Sequence, residues 1–368
     1  MKITAAVVRE RSGTFAIEQL ELCDPRADEL LIEVAGSGMC ATDLHARDGY
    51  YPTVHYPAVF GHEGAGIVRA VGAAVTEFKP GDHVVMAYPW CGECPNCRSH
   101  RLSYCLNAGD LKRIGTRADG STLYSQNGKP VYGAFFQQSS FGTYLIANER
   151  FAVKVRSDVP IAMLGPLACG GQTGAGTVLN VLKPQDGDAI VVFGVGGVGL
   201  SGLMAAKIAG CDPIIAVDVH EHRLALAREL GATHTFNHNG RTEVVAEIRK
   251  LTGPGVRFSL ETSALPEVLR EAIEVLMPAG TCALVGSARA GTKVSIEMPL
   301  IQNGRSLRGV VQGDSVPKQF IPQLVDYMMT GRFPLEKLIT FYDLADINRA
   351  AAEAASGKTI KPVLRMPC

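Results

Sequence analysis

A glycine-rich turn just past the middle of the chain constrains the fold more than any other feature. The five apolar residues Ala189 to Phe193 predict a buried strand, and Leu200 to Ile208 continues at helical period. A strand that leads into a helix offers the free N–H groups of the helix N-terminus to a pyrophosphate, and glycines let it approach closely. The G-x-G-x-x-G spacing therefore predicts a dinucleotide-binding turn formed by Gly194, Gly196, Gly197 and Gly199.

An acidic residue at the end of the next apolar run strengthens this prediction. The strand-like segment Ile214 to Val217 ends in Asp218, nineteen residues after Gly199. At that distance an acidic side chain hydrogen-bonds the adenosine ribose hydroxyls, and its charge repels a 2′-phosphate. The expected cofactor is therefore NAD rather than NADP, with a glycine-rich turn of some other α/β protein as the alternative.

Length and composition limit the remaining possibilities. A chain of 368 residues is too long for one ordinary core and suits two domains. Lys+Arg and Asp+Glu both number 36, without a long run of either sign, so neither nucleic acid nor an anionic membrane is expected as a partner. No signal-peptide pattern or membrane-spanning apolar run is evident, so a cytoplasmic protein is expected, whose ten cysteines serve as metal ligands or reduced thiols.

The rhythm of the predicted elements changes along the chain. The first third contains short apolar runs separated by Gly, Pro and Asp, which predict a β-rich domain at 1–170. Strands and helices then alternate, which predicts an α/β domain with a doubly wound parallel (Rossmann) sheet at 171–312. The tail, 313–368, is predicted to return to the first domain because the nucleotide sheet already has its strands. The individual predictions are strands near Leu30–Val34, Gly66–Val71, His83–Met86, Ile214–Val217, Phe258–Leu260, Thr281–Val285, Leu338–Phe341 and Lys361–Met366, and helices near Glu221–Leu230, Pro266–Leu276, Lys318–Met329 and Ile347–Ala355.

Four closely spaced cysteines form the most specific motif of the first domain. Cys91, Cys94, Cys97 and Cys105 follow C-x-x-C-x-x-C-x7-C spacing, with Gly, Pro and Asn between them to permit tight turns. Four thiolates can surround one tetrahedral ion and leave no position for substrate, so they predict a structural zinc that organises the lobe 91–105. An iron–sulfur cluster is the competing interpretation.

A second set of possible ligands is scattered along the chain. Cys40, His62 and Cys169 would each, taken alone, be interpreted as a small or polar core residue, and Glu63 as a surface carboxylate. Their joint presence beside a four-cysteine lobe and a nucleotide fold favours a second metal site.

The sequence resembles the zinc-containing medium-chain alcohol dehydrogenases over essentially its whole length. The matching stretches are Gly61-His62-Glu63-Gly64-Ala65-Gly66, Val71-Gly72, Pro80-Gly81-Asp82, the four-cysteine lobe, Cys169-Gly170, and Gly194 to Gly199 with Asp218. The resemblance implies a GroES-like catalytic domain and two zinc ions per chain. It implies that Cys40, His62 and Cys169 hold the catalytic zinc, with Glu63 as an occasional ligand and a fourth position open for water or substrate.

The resemblance also implies roles for several other residues. Thr42 and His45 match a relay that carries the alcohol proton away, and Asp43 matches a carboxylate that bonds a zinc-bound histidine. A homodimer or homotetramer that acts on a small alcohol or aldehyde is expected. The further cofactor residues implied are Arg223 beside the adenosine ribose, Lys361 on the pyrophosphate, and Thr173 and Val198 at the nicotinamide ring.

Within that family the sequence is most similar to the aryl- and benzyl-alcohol dehydrogenases. The segments that carry this similarity are 133–141 and 164–176, and the aromatic side chains Tyr50, Tyr51 and Trp90 lie near the metal-bearing segments. The expected reaction is reversible oxidation of a primary aromatic or allylic alcohol with hydride transfer to NAD. A glutathione-linked formaldehyde dehydrogenase remains an alternative, although the sequence identifies no basic pocket residue for its anionic substrate. A non-catalytic nucleotide-binding protein is the alternative outside enzymes, but no catalytic zinc ligand is missing.

Overall fold

The computed structural model describes residues 1–240 and 243–367. The chain forms two compact units, one of Met1–Cys169, Val316–Met329 and Leu335–Cys368, the other of Gly170–Ser315 and Thr330–Pro334. The strands are β1 (Lys2–Val8), β2 (Phe15–Leu22), β3 (Glu29–Gly38), β4 (Ala58–Val59), β5 (Glu63–Val71), β6 (His83–Met86), β7 (Tyr124–Gln126), β8 (Lys129–Val131), β9 (Tyr144–Asn148), β10 (Ala152–Val155), β11 (Ile190–Phe193), β12 (Ile214–Asp218), β13 (His234–Asn237), β14 (Val256–Glu261), β15 (Leu276–Leu284), β16 (Ser306–Gly309), β17 (Ile339–Asp343) and β18 (Lys361–Arg365). The α-helices are α1 (Ala41–Arg47), α2 (Pro95–Arg98), α3 (Ala108–Arg113), α4 (Gly170–Gly176), α5 (Gly197–Ile208), α6 (Glu221–Leu230), α7 (Val244–Thr252), α8 (Pro266–Glu274), α9 (Met298–Gln302), α10 (Pro317–Met329) and α11 (Ile347–Ala355).

The first unit is built on two sheets. One has the strand order β4-β1-β2-β7-β8, and the other has the order β10-β6-β5-β3-β18-β17 with β9 also paired to β3. All of these pairs are antiparallel except β17 with β18. The long strand β3 buries most of its residues because it has a partner strand on either side. Its last residues pair with the start of β5, which brings Gly38 opposite Glu63.

The tail of the chain completes this first unit, in the way that the sequence predicts. Strand β18 lies antiparallel to β3, with Val363 opposite Gly38. The return begins at Val316 rather than at 313, and the short segment Thr330–Pro334 belongs to the second unit. Lys361, at the first position of β18, is thereby brought to the same end of the sheet as Glu63.

The second unit confirms the predicted doubly wound parallel sheet. Its strand order is β13-β12-β11-β14-β15-β16, and every adjacent pair is parallel. Strands β11 and β12 are buried along their whole length, which is typical of strands covered on both faces. Helix α5 begins within the glycine turn, at Gly197, with Gly196 as its N-cap. None of the helices in residues 1–240 and 243–367 is long and apolar enough to cross a membrane.

The close packing of the glycine turn leads to a first prediction. A Cβ built at Gly199 would lie 1.9 Å from the carbonyl oxygen of Gly194, whereas one at Gly196 would lie 3.9 Å from its nearest neighbour, the Arg223 side chain. We expect Gly199→Ala to lower the free energy of unfolding by about 1–3 kcal/mol or more, because the backbone must move to relieve this overlap. Thermal unfolding without cofactor measures the effect, with Gly196→Ala as the control of unchanged stability. A Gly199→Ala protein as stable as the parent would contradict this packing.

Candidate active site and metal centres

The four lobe cysteines converge as their spacing predicts. Their sulfur atoms all lie within 4.8 Å of one another, and the Sγ atoms of Cys91 and Cys97 are 3.9 Å apart. This distance is close to the edge of a tetrahedron of sulfurs around zinc, about 3.8 Å for Zn–S bonds of about 2.3 Å. It is far longer than a disulfide bond of about 2.05 Å, and all four cysteines are free thiols.

Backbone N–H groups of the lobe donate to the cysteine sulfur atoms and thereby favour their anionic form. The amide of Cys94 donates to the Sγ of Cys91 at 3.4 Å, and the amide of Cys91 donates to the Sγ of Cys105 at 3.3 Å. The amides of Glu93 and Cys94 lower the pKa of Cys91 to about 6, whereas burial raises the pKa of Cys97 to about 12. Four sulfurs with this geometry fit one tetrahedral metal ion, whose charge would remove the remaining thiol protons.

The scattered candidates Cys40, His62, Glu63 and Cys169 also meet in the first unit. Each contributes one possible ligand atom, and these four atoms lie within 4.8 Å of one another. Cys40 is the N-cap of α1, and Glu63 is the first residue of β5, directly after His62. Cys169 follows the short 3₁₀ helix Gly165–Ala168. Two thiols, an imidazole and a nearby carboxylate thus form the second predicted metal centre.

The fully buried carboxylate of Asp43 positions two of these ligands. Asp43 is the third residue of α1, and its Oδ2 accepts the backbone N–H of Cys40 at 2.9 Å. Its Oδ1 accepts from the backbone N–H of Gly61 at 3.2 Å and lies 2.8 Å from Nδ1 of His62. The bond to Nδ1 leaves Nε2 as the free ring nitrogen, which is how metal-binding histidines are usually held.

The chemistry of the donor set fits a metal ion. Nε2 of His62 is buried and has no hydrogen-bond partner among the residues that the structure describes. Burial alone would lower the pKa of His62, but the charges of Asp43 and Cys40 raise it to about 10. The contact between the two thiols lowers the pKa of Cys40 well below the ordinary value and raises that of Cys169 well above it. A zinc ion bound by two thiolates and one imidazole would satisfy the buried Nε2 and both sulfur atoms.

Glu63 forms a buried ion pair with Lys361. Nζ of Lys361 lies 2.8 and 2.9 Å from the two carboxylate oxygens of Glu63 and 3.3 Å from the carbonyl oxygen of Met39. Burial raises the pKa of Glu63 to about 7 despite the opposing charge of Lys361. Burial would lower the pKa of Lys361, but Glu63 reverses this effect and raises it. The predicted contact of Lys361 with a pyrophosphate stays a prediction, since the structure places its ammonium on Glu63.

Thr42 and His45 lie one turn apart on α1. The Sγ of Cys40 lies 3.7 Å from the Oγ1 of Thr42, so this hydroxyl borders the metal centre. The His45 ring stacks on Tyr50 with centroids 4.2 Å apart, and both residues are only partly buried. The spacing fits a relay that begins at the metal centre and ends at a solvent-accessible imidazole, as the sequence predicts.

A strained segment places aromatic rings against the metal centre. In residues 134–139 the non-glycine residues Ala134, Phe136, Gln137 and Ser139 all have positive φ, a conformation that persists only when surrounding contacts enforce it. Ser139 enforces it by accepting the N–H of Phe135 at 2.9 Å and donating to the carbonyl oxygen of Val59 at 2.7 Å.

The result is that two rings pack on the imidazole. Phe136 lies 4.5 Å and Phe135 5.9 Å from the His62 ring, measured between centroids. Two other aromatic residues of the prediction lie elsewhere, since Phe141 packs on Phe15 in the core and Trp90 packs on Phe151.

Two cations that the sequence analysis did not identify lie beside this centre. Lys112 is only 9% exposed, and its Nζ is 5.6 Å from the ring centroid of Phe136. The Arg113 guanidinium stacks over Tyr51 with Cζ 4.2 Å from the ring centroid. Burial lowers the pKa of Lys112, an effect that the nearby Cys169 opposes. A cation–π contact contributes about 0.5–2 kcal/mol, whereas burying a charge costs several kcal/mol, so the ring contacts alone do not offset the burial of Lys112.

The predicted cofactor residues of the second unit surround the glycine turn. Oδ2 of Asp218 accepts the N–H of Val195 at 2.8 Å, and Oδ1 accepts the N–H of His220 at 2.9 Å. Nη1 of Arg223 is 3.9 Å from Oδ2 of Asp218. Val198 lies in the first turn of α5, and Thr173 lies on α4, where its hydroxyl is 3.4 Å from the side-chain oxygen of Gln312. The turn, the acid and the arginine thus come together.

The metal assignments lead to a second prediction. We expect the purified protein to contain two zinc ions per chain, measured by elemental analysis, and Cys97→Ala and His62→Ala each to lose one. Cys97→Ala should also lower the midpoint of thermal unfolding, because the lobe depends on its metal, whereas His62→Ala should abolish turnover with the fold retained.

Cys211→Ala is the control for both variants, because Cys211 is a buried free thiol outside the two clusters. It should keep both metal ions. Iron in the parent protein, or a single metal per chain, would contradict the assignment.

Comparisons with known proteins agree with this geometry. Residues 26–157 match the alcohol dehydrogenase GroES-like domain, and residues 197–328 match the zinc-binding dehydrogenase family. The chain is 42% identical to a geraniol dehydrogenase of Castellaniella defragrans over 362 residues, which cover 98% of this chain and 96% of the relative.

Two solved structures match over the full length of both chains. The benzyl alcohol dehydrogenase of Acinetobacter calcoaceticus has a TM-score of 0.96 at 42% identity. An alcohol dehydrogenase zinc-binding domain protein of Burkholderia ambifaria has a TM-score of 0.97 at 47% identity. The predicted family and fold class are thereby confirmed, and the chain belongs to the zinc-containing medium-chain alcohol dehydrogenases.

Proposed function

We propose that this protein is an NAD-dependent dehydrogenase that oxidises primary aromatic or allylic alcohols to aldehydes, reversibly. The observation that carries the proposal is the cluster of Cys40, His62 and Cys169, three ligands of which the imidazole is oriented by Asp43. Three protein ligands leave one position for a substrate oxygen, which is the mark of a catalytic rather than a structural zinc site. The four-cysteine lobe has no such position and would hold a second, structural zinc.

The two bound groups supply the central chemistry. Zinc held by Cys40, His62 and Cys169 would supply Lewis acidity towards the substrate hydroxyl, and NAD held at the glycine turn would supply the hydride acceptor. The chain holds these groups and positions the substrate. Asp43 keeps the Nε2 lone pair of His62 directed at the ligand cluster, and Lys361 holds Glu63 close to it through an ion pair.

The proton of the alcohol leaves along α1 in this proposal. Thr42 borders the ligand cluster and acts as a relay: its Oγ1 accepts the alcohol proton as its own hydroxyl proton passes towards His45, one turn later, which releases a proton to solvent. The stacking of His45 on Tyr50 fixes the plane of the imidazole without removing it from water. Imidazole is suited to this step because its ordinary pKa lies near neutrality.

Two observations support an aromatic or allylic substrate. The relatives named above are a geraniol dehydrogenase and a benzyl alcohol dehydrogenase, one named for an allylic and one for a benzylic alcohol. In this chain Phe136 packs against the metal-binding imidazole, held there by the strained segment 134–139. A ring next to the reacting carbon favours flat, unsaturated substrates.

Cofactor choice is the third prediction. We expect Asp218→Asn to weaken NAD binding about tenfold or more, because a hydrogen bond to a charged group contributes about 1.5–3 kcal/mol. We also expect the preference to shift towards NADP, because the variant lacks the carboxylate charge that repels the 2′-phosphate. Dissociation constants for both nucleotides measure this, together with thermal unfolding, since Asp218 also accepts two backbone N–H groups.

Glu221→Gln is the matched control for Asp218→Asn. It removes one negative charge from the first turn of α6, at a side chain that is 62% exposed. The ratio of NAD to NADP affinity should stay as in the parent. An unchanged ratio in Asp218→Asn would show that the acid does not contact the ribose.

The fourth prediction tests the substrate class. We expect kcat/KM for benzyl alcohol, cinnamyl alcohol and geraniol to exceed that for ethanol, because a neighbouring π system stabilises the charge that develops as hydride leaves. Initial rates with NAD measure it, and Phe136→Leu should reduce the advantage of benzyl alcohol over ethanol. A higher kcat/KM for ethanol or S-(hydroxymethyl)glutathione would overturn the aromatic assignment and leave the zinc dehydrogenase intact.

A further inference from the structure

Lys112 and Arg113 are two adjacent cations beside the candidate metal centre, and neither has a carboxylate partner in the part of the chain that the structure describes. Lys112 is the more deeply buried of the two, at 9% exposure. Among residues 1–240 and 243–367, neither side chain forms an ion pair with a carboxylate. Their polar ends lie over aromatic rings, and Lys112 also interacts with the thiols of Cys169 and Cys105. Nε of Arg113 is buried without a hydrogen-bond partner. Both residues close α3, which follows the cysteine lobe.

Both cations border the residues that hold the metal. Nζ of Lys112 is 5.6 Å from the ring centroid of Phe136, and that ring is 4.5 Å from the His62 ring. The separation of Nζ from the imidazole is therefore no greater than these two distances together. Arg113 lies over Tyr51, whose hydroxyl interacts with Thr42. The two contacts thus place one cation on the His62 side of the centre and one on the Thr42 side.

Two other cations of the first unit, Lys361 and Arg117, each have the carboxylate partner that Lys112 lacks among the described residues. Lys361 is buried to a similar degree, and its ammonium lies on the carboxylate of Glu63. Arg117, four residues after Arg113, forms two short bonds to Glu29. A buried charge needs a counter-charge or several hydrogen bonds to be tolerated. The chain supplies a carboxylate to Lys361 and to Arg117, whereas among the described residues Lys112 has only the thiols of Cys169 and Cys105 as anionic neighbours.

We propose that Lys112, with Arg113, binds a carboxylate at the far end of the substrate, so that the preferred alcohol is an aromatic primary alcohol that carries a ring carboxylate. This inference rests on the proposed function and narrows its substrate class. Phe136 is close to both Lys112 and the metal-binding imidazole and provides the surface on which an aromatic ring packs. The hydroxyl then meets the metal centre and the carboxylate meets the ammonium. A carboxylate supplies the missing negative charge and accepts hydrogen bonds from both cations.

The test compares 4-(hydroxymethyl)benzoate with its neutral counterpart 4-(hydroxymethyl)benzamide and with benzyl alcohol, in the zinc-loaded protein with NAD. We expect Lys112→Met to lower kcat/KM for the benzoate roughly 10- to 150-fold, which corresponds to the loss of one hydrogen bond to a charged group. The benzamide and benzyl alcohol should change less than about threefold, since only uncharged packing is altered. Lys112→Arg should retain most of the preference for the benzoate, because it keeps the charge.

Two further measurements exclude indirect effects. Lys129→Met, at an exposed lysine on β8, should leave all three substrates unchanged. Calorimetric binding of the unreactive 4-methylbenzoate should weaken in Lys112→Met by the same factor as kcat/KM, which loss of metal or of fold would not produce selectively. The midpoint temperature of thermal unfolding should be as high in Lys112→Met as in the parent, or higher, because the variant no longer buries a charge.

Specific outcomes would overturn the inference. Equal loss for the benzoate, the benzamide and benzyl alcohol in Lys112→Met would show a packing role alone. Equal binding of 4-methylbenzoate to Lys112→Met and the parent would show that the carboxylate binds elsewhere, for instance on the metal. Higher kcat/KM for S-(hydroxymethyl)glutathione than for the benzoate would show that the two cations bind the carboxylate of a peptide rather than that of an aromatic ring. If benzyl alcohol is oxidised but the benzoate is not preferred, the inference fails while the proposed function stands, and if no alcohol is oxidised, both fail.

Discussion

The buried carboxylate of Asp43 holds two of the candidate zinc ligands, Cys40 and His62, in position. Its two oxygens bind the backbone of Cys40, the backbone of Gly61 and the ring of His62. These contacts join the first turn of α1 to the residues that precede β5, so that a thiol and an imidazole from different segments face one point. Because the carboxylate is fully buried, each of its bonds is strong and each loss would leave an unsatisfied group. Asp43 therefore both caps the first turn of α1 and positions ligands of the candidate metal site.

Charge balance explains why the two buried lysines of the first unit differ. Lys361 has a partner within the protein, since its ammonium forms an ion pair with Glu63. This pair lies next to two thiols that become thiolates when metal binds. Without that lysine, burial would favour a protonated and neutral Glu63. Lys112 has no such carboxylate partner among the described residues, because its neighbours are the rings of Tyr88 and Phe136, the Arg113 guanidinium and the thiols of Cys169 and Cys105. A buried positive charge without a carboxylate partner in the fold is explained by a ligand whose carboxylate binds it.

Local patterns predict those features whose residues lie close together in the chain, whereas the scattered set of Cys40, His62 and Cys169 is predicted through the family resemblance. The glycine turn with Asp218 predicts the parallel sheet, and the cysteines of 91–105 predict the lobe, because covalent spacing alone brings each set together. The ion pair of Glu63 with Lys361 joins residues 298 positions apart, and it depends on β18 lying beside β3. The positive φ of Phe136 has no glycine to signal it, since tertiary contacts impose the conformation. Lys112 was missed for a related reason, because lysine on a short helix usually lies in solvent.

Asp218 shows how one residue meets a structural and a functional demand together. Its carboxylate accepts the N–H of Val195 within the glycine turn and the N–H of His220 before α6, so it ties the ends of two neighbouring strands. These bonds exist without a cofactor, and the spacing between the turn and the acid is therefore explained in part by the fold itself. Each carboxylate oxygen can accept more than one hydrogen bond. The lone pairs that the backbone leaves free can accept from ribose hydroxyls, and because the backbone bonds fix the carboxylate in advance, nucleotide binding need not order it.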